Sequence, residues 1–97
     1  DFRARHALDR AGLLELWAWT EAEFLQKTEG SAIRRIGWRR WRRNLAVALG
    51  NAPAAAAVVE ALAAYAEDPD PLIAEHVRWA LDRQRERLQP AGGGASG

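Results

Sequence analysis

An all-α fold of about five helices is predicted by three observations. Apolar residues recur at three- and four-residue spacing along most of the chain, no stretch alternates with the two-residue period of a strand, and much of the apolar content is alanine. The 97 residues are 48% hydrophobic and 28% charged, which suits one packed helical domain better than a disordered chain. That domain is expected over residues 1–88, with its ordered part starting near residue 8. A flexible Gly-rich tail, 89–97, should follow.

The first helical pattern runs from Ala11 to Trp19 and puts Leu13, Leu14 and Trp17 on one side. Thr20-Glu21-Ala22-Glu23 has capping-box spacing, so a second helix should occupy Glu21 to Thr28. Gly30 and Ser31 break it. The third stretch, about Trp38 to Leu49, ends at Gly50-Asn51, read as a glycine stop. At 100° per residue, Trp38, Trp41, Leu45, Ala48 and Leu49 form its apolar stripe, while Arg39, Arg40 and Arg43 fan over the opposite flank. Val47 points away from that stripe, so the second half should be covered on both sides, making this the central helix.

Pro53 suits a first helical position, and Ala55, Val58, Val59, Leu62, Tyr65 and Ala66 share a face of a fourth helix ending near Glu67. In Asp68-Pro69-Asp70-Pro71, Asp70 can cap and Pro71 can begin a fifth, with Ile73, Val77, Ala80, Leu81, Gln84 and Leu88 in line. This pair, with Val77-Arg78-Trp79-Ala80-Leu81 in its second member, looks like a HEAT-type repeat, so the fold is read as a fragment of an α-α superhelix.

The chemistry concentrates at Arg34-Arg35-Ile36-Gly37-Trp38-Arg39-Arg40-Trp41-Arg42-Arg43, six arginines and two tryptophans without an acidic residue. The segment carries +6, the stretch before it −2 and the stretch after it −3, so the net charge of +1 conceals a dipolar chain. The plainer reading is a solvated face balanced by Glu23, Glu29 or the acidic connector, but such faces normally mix signs. Guanidinium forks fit phosphate oxygens two at a time, so Arg34, Arg35, Arg39, Arg40, Arg42 and Arg43 are the candidate phosphate ligands. Trp38 and Trp41 lie on the apolar stripe and are read as core rather than stacking platforms.

Other chemistries are thinly represented. There is no cysteine, and His6 and His76 lack partners at metal-ligand spacing, so no metal site is expected. Asp68 and Asp70 are read as turn and cap residues rather than an acid–base pair. No nucleophile motif, GxGxxG or P-loop occurs, and no catalytic residue is assigned. The longest apolar run, Ala52 to Val59, is too short for a bilayer and no signal-peptide core is present, so a chain neither membrane-spanning nor visibly exported is expected, without a membrane partner, and the lack of cysteine suits a cytosolic setting.

At Glu29-Gly30-Ser31-Ala32-Ile33-Arg34-Arg35-Ile36 and Arg43-Asn44-Leu45-Ala46-Val47-Ala48-Leu49-Gly50-Asn51, the sequence resembles the C-terminal region of epoxyqueuosine reductases. Leu16-Trp17-Ala18-Trp19-Thr20-Glu21-Ala22-Glu23-Phe24 is similar to that family too, and Ala32 stands where a proline is common. The resemblance implies a cytoplasmic enzyme that reduces epoxyqueuosine to queuosine at the wobble position of tRNA. It also implies cobalamin and two [4Fe-4S] clusters in a cobalamin-binding domain and a ferredoxin-like domain absent from these residues, with no cofactor in this chain. The helical domain would then hold the tRNA anticodon arm, with Arg34 and Arg35 in the family's basic motif and Arg43-Asn44 in its Arg-Asn motif. Arg39, Arg40 and Arg42 rest on the charge argument. The rival reading is a HEAT-like interaction module docking an acidic surface or the absent domains, to which Leu13, Trp17 or Trp79 could have faced. A free-standing enzyme has the least support.

Overall fold

The computed structural model describes residues 9–88. Residues 1–8, with His6, and the tail 89–97 lie outside the described residues. Among the described residues the elements are α1 (Arg10–Trp17), α2 (Glu21–Lys27), a 3-10 helix (Ala32–Ile36), α3 (Gly37–Asn51), α4 (Ala56–Ala63) and α5 (Pro71–Leu88), with no strand. The all-α expectation holds.

Local chemistry explains the starts. The Asp9 side chain accepts from the Gly12 amide at 2.9 Å and caps α1. At α2 the capping box closes in both directions, with Glu23 N–H to Thr20 Oγ1 at 3.1 Å and Thr20 N–H to Glu23 Oε1 at 2.8 Å. Asp70 Oδ1 accepts from the Leu72 amide at 2.9 Å and Asp68 Oδ1 from the Asp70 amide at 2.8 Å, the cap and turn roles expected of them.

Two boundaries differ from expectation for tertiary reasons. Pro53 does not begin the fourth helix; α4 starts at Ala56, with no side-chain cap at Ala55. Instead Gln84 of α5 accepts from the Ala55 amide at 3.1 Å and donates to the Leu49 and Ala52 carbonyls at 2.7 and 3.0 Å. One buried amide thereby satisfies the end of α3 and the start of α4, groups otherwise costing about 1–3 kcal/mol each if left unpaired. Nor is Gly50 a glycine stop. It lies inside α3 without a positive φ, and the helix continues to Asn51.

Gly50 is needed because α5 comes close. A Cβ there would sit 2.9 Å from the Ala80 Cα and 2.8 Å from a ring carbon of Trp79. Gly50→Ala is therefore expected to destabilise the chain by about 1–2 kcal/mol, the overpacking penalty exceeding the gain of up to about 1 kcal/mol in helix propensity. Thermal denaturation followed by circular dichroism checks this; an unchanged or higher Tm would disprove the close approach.

The helices run in a consistent sense. Arg39 near the start of α3 meets Asp70 at the start of α5, and the end of α3 meets Gln84, so α3 and α5 are parallel. Ala55 meets Gln84 while the Ala66 carbonyl accepts from Arg78, so α4 runs antiparallel to α5, packing on it and on α1. Helix α3 is central, as its apolar second half predicts: it packs on α5 and α1, and also touches α2 and the 3-10 helix. The core joins Leu13, Trp17, Phe24, Trp41, Leu45, Leu49, Val58, Leu62, Ile73, Val77 and Leu81. Leu13 and Trp17 are buried here, which overturns them as faces toward a neighbour; Trp79 is exposed. No helix among the described residues is long and apolar enough to cross a membrane.

Candidate nucleic-acid interface

The six arginines separate into distinct environments. Gly30, at φ +78, ends the α2 turn, and the Ser31 hydroxyl accepts from the Ile33 amide at 3.1 Å to start the 3-10 helix. Arg34 and Arg35 stand exposed on that helix and line a shallow groove with Gly30, Ser31 and Ala32. Gly37 then takes φ +85 and ψ 160, a backbone state essentially restricted to glycine, and turns the chain into α3. Arg34, Arg35 and Arg40 have no carboxylate partner among the described residues.

Arg40 is exposed in the first turn of α3, and Arg43 is half-buried with Nε and a terminal nitrogen 3.3 and 3.1 Å from Asn44 Oδ1. Arg39 is exposed but paired: its Nε lies 3.1 and 2.8 Å from the two Asp70 oxygens. Partial desolvation pushes the Asp70 carboxyl up, but the bonds from Arg39 and the Leu72 amide outweigh it and hold it below its ordinary value. Solvent screens an exposed pair of this kind, so a phosphate can compete for Arg39.

Arg42 corrects the expectation. Its side chain is 1% exposed, beneath the surface that the other arginines share. The guanidinium carbon sits 3.4 Å from the Trp17 ring centroid, 4.6 Å from that of Tyr65 and 5.0 Å from that of Trp38. One terminal nitrogen donates to the Trp17 carbonyl, while the Trp17 indole donates to the Ala61 carbonyl at 3.0 Å. Burial pushes the guanidinium down to about 10, against the raising influence of Tyr65 and Asp68, so it stays charged at neutral pH. It is a structural cation tying α3 to α1, and no phosphate reaches it.

The tryptophans divide as their spacing predicts. Trp41 is buried, 5.1 Å from Phe24 and stacked on Trp19 at 5.6 Å, and Trp38 is half-buried with Phe24 at 5.8 Å. Neither is a free stacking platform. The remaining basic surface meets the start of α3, which has no side-chain cap and no acidic residue in its first turn. Cations there oppose the helix dipole and one another, whereas a bound anion would offset both the dipole and the guanidinium charges. Among the described residues no group of three or more His, Cys, Asp or Glu could hold a metal ion.

No family model and no solved structure matches the chain. Curated relatives do. The chain is similar to the epoxyqueuosine reductase of Pseudomonas aeruginosa, 57% identical over 86 residues, covering 89% of this chain and 24% of the relative. That of Xanthomonas campestris is 58% identical over 81 residues, covering 84% and 23%, and that of Escherichia coli 52% over 87, covering 90% and 23%. Identity at this level across nearly all of the helical body cannot arise from shared helix periodicity. The chain thus belongs to the epoxyqueuosine reductase family, and it spans about a quarter of the length of the relatives it matches.

Proposed function

We propose that this chain is the C-terminal, HEAT-like, tRNA-binding part of a cytoplasmic epoxyqueuosine reductase, gripping the anticodon arm while residues outside it reduce epoxyqueuosine to queuosine. One observation carries the reading: exposed arginines of a single sign gather at the uncapped start of α3 and on the 3-10 helix before it, an arrangement that costs stability unless a polyanion is bound. The 1–88 domain acts by position and charge. Arg34, Arg35, Arg40 and Arg43 hold successive phosphates, Arg39 joins when a phosphate displaces Asp70, and Arg42 supports the surface from beneath. The two [4Fe-4S] clusters expected in the family find no thiolate here, because the chain has no cysteine; their ligands, and the cobalamin site expected with them, would belong to residues outside it.

Salt dependence tests the reading. With four phosphate contacts, the log–log slope of affinity for an anticodon stem-loop against salt is expected to be about −3 to −3.5. A slope near zero, or no binding in weak salt, would refute it. A second reading draws on the Arg39–Asp70 pair, in which this surface holds a carboxylate, and on the apolar groove of Leu13, Leu16, Ile33, Ile36 and Leu45 on the side of α3 that meets α1 and the 3-10 helix. An interaction module would bind an acidic polypeptide in strong salt while failing to bind tRNA in weak salt.

A further inference from the structure

We propose that a pocket between α3 and α5, floored by Trp79, takes an unpaired nucleobase of the RNA whose phosphates the arginines hold; this rests on the RNA reading above. Trp79 is 40% exposed, and with Val47, Glu75 and His76 it lines a surface pocket. Val47 follows Arg43 by one turn on the same face of α3, about 6 Å along the axis, close to the spacing of consecutive phosphates. Beyond the pocket in the same direction, the Arg83 guanidinium lies 5.3 Å from the Trp79 ring centroid. Because α3 and α5 are parallel, the surface reads Arg40, Arg43, aromatic pocket, Arg83. Basic groups interleaved with an aromatic face are what a single strand requires, the cations following its backbone and the ring stacking a base.

The rim decides between base and backbone. Glu75 is exposed at the pocket, and its carboxylate repels a phosphate but accepts N–H groups from a base edge. His76 Nδ1 lies 2.8 Å from the Leu72 carbonyl, so it donates there, and in the neutral ring Nε2 is the acceptor. Two acceptors over an apolar floor select a base that offers amino or imino donors. The phasing of α3 alone does not show this pocket, since three of its four lining residues come from α5.

The test measures binding of the 97-residue chain to three labelled RNAs: a hairpin with an unpaired loop, the same hairpin with abasic loop sites, and a blunt duplex of equal charge. The hairpin is expected to bind about tenfold more tightly than the abasic version. Trp79→Leu, which preserves apolar contact at Gly50, should remove that difference and leave duplex binding and its salt slope unchanged; Trp79→Phe should retain most of it. Equal affinity for natural and abasic loops would overturn the pocket while leaving the arginine reading intact. Failure to bind any of the three in weak salt would overturn both. Because the abasic comparison uses the unaltered chain, it decides the matter even if Trp79→Leu does not fold.

Discussion

Replacing Arg42 with alanine is expected to destabilise the chain by about 3–4 kcal/mol, lowering Tm by roughly 15 °C or more in a domain of this size. Truncation empties the space between Trp17, Trp38 and Tyr65 and strips the Trp17 carbonyl of its donor. These losses outweigh the relief of uncovering a desolvated charge, whose cost is visible in the lowered pKa of about 10. Arg42→Met separates the two effects. It refills the volume without a charge and should lose only about 1–2 kcal/mol, since buried ionic groups often contribute little beyond an apolar side chain of equal size. Thermal and urea denaturation of both variants would check this, and an alanine variant as stable as the parent would refute the buried-cation role.

Reversing charge at Arg34, Arg35, Arg40 and Arg43 to glutamate is expected to abolish RNA binding at low salt with little change in Tm. Each reversal removes an attraction and adds a repulsion, and none of the four side chains is in the core. The same change at Arg40 and Arg43 alone should weaken binding by at least tenfold and lower the salt slope by about 1.5–2. Arg39→Glu should act differently, because it also places a carboxylate against Asp70 at the α5 cap. Filter binding of a stem-loop across a salt series, beside circular dichroism of each variant, checks the set. Undiminished binding by a folded four-site variant would remove these arginines from any RNA interface.

The contrast between Arg40 and Arg42 shows how far periodicity carries. Trp38, Trp41, Leu45 and Leu49 point inward as their spacing predicts, but the buried face is turned slightly from that stripe, taking in Arg42, Leu45, Ala46 and Leu49. Those four residues have the i, i+3, i+4, i+7 spacing of a buried seam, so the signal for Arg42 was present. That spacing competes with the rarity of fully buried arginine, and the aromatic rings that make burial tolerable come from residues 17 and 65, far away in the chain. Gly50 poses the same problem. A glycine near a helix end looks like a stop until the backbone of another helix is found 2.9 Å from where its Cβ would be.

The all-α class, the order of the helices, the α2 capping box, the Asp68 and Asp70 roles and the concentration of positive charge are legible in the residues alone. All of these depend on spacing and side-chain chemistry within a few residues. The packed fold adds which arginines are available, that Asp70 engages Arg39, that Gln84 joins α3 to α4, and that Val47 and Trp79 line one pocket. Each depends on the approach of segments about 30 residues apart, and that approach is set by packing the whole core rather than by any local pattern.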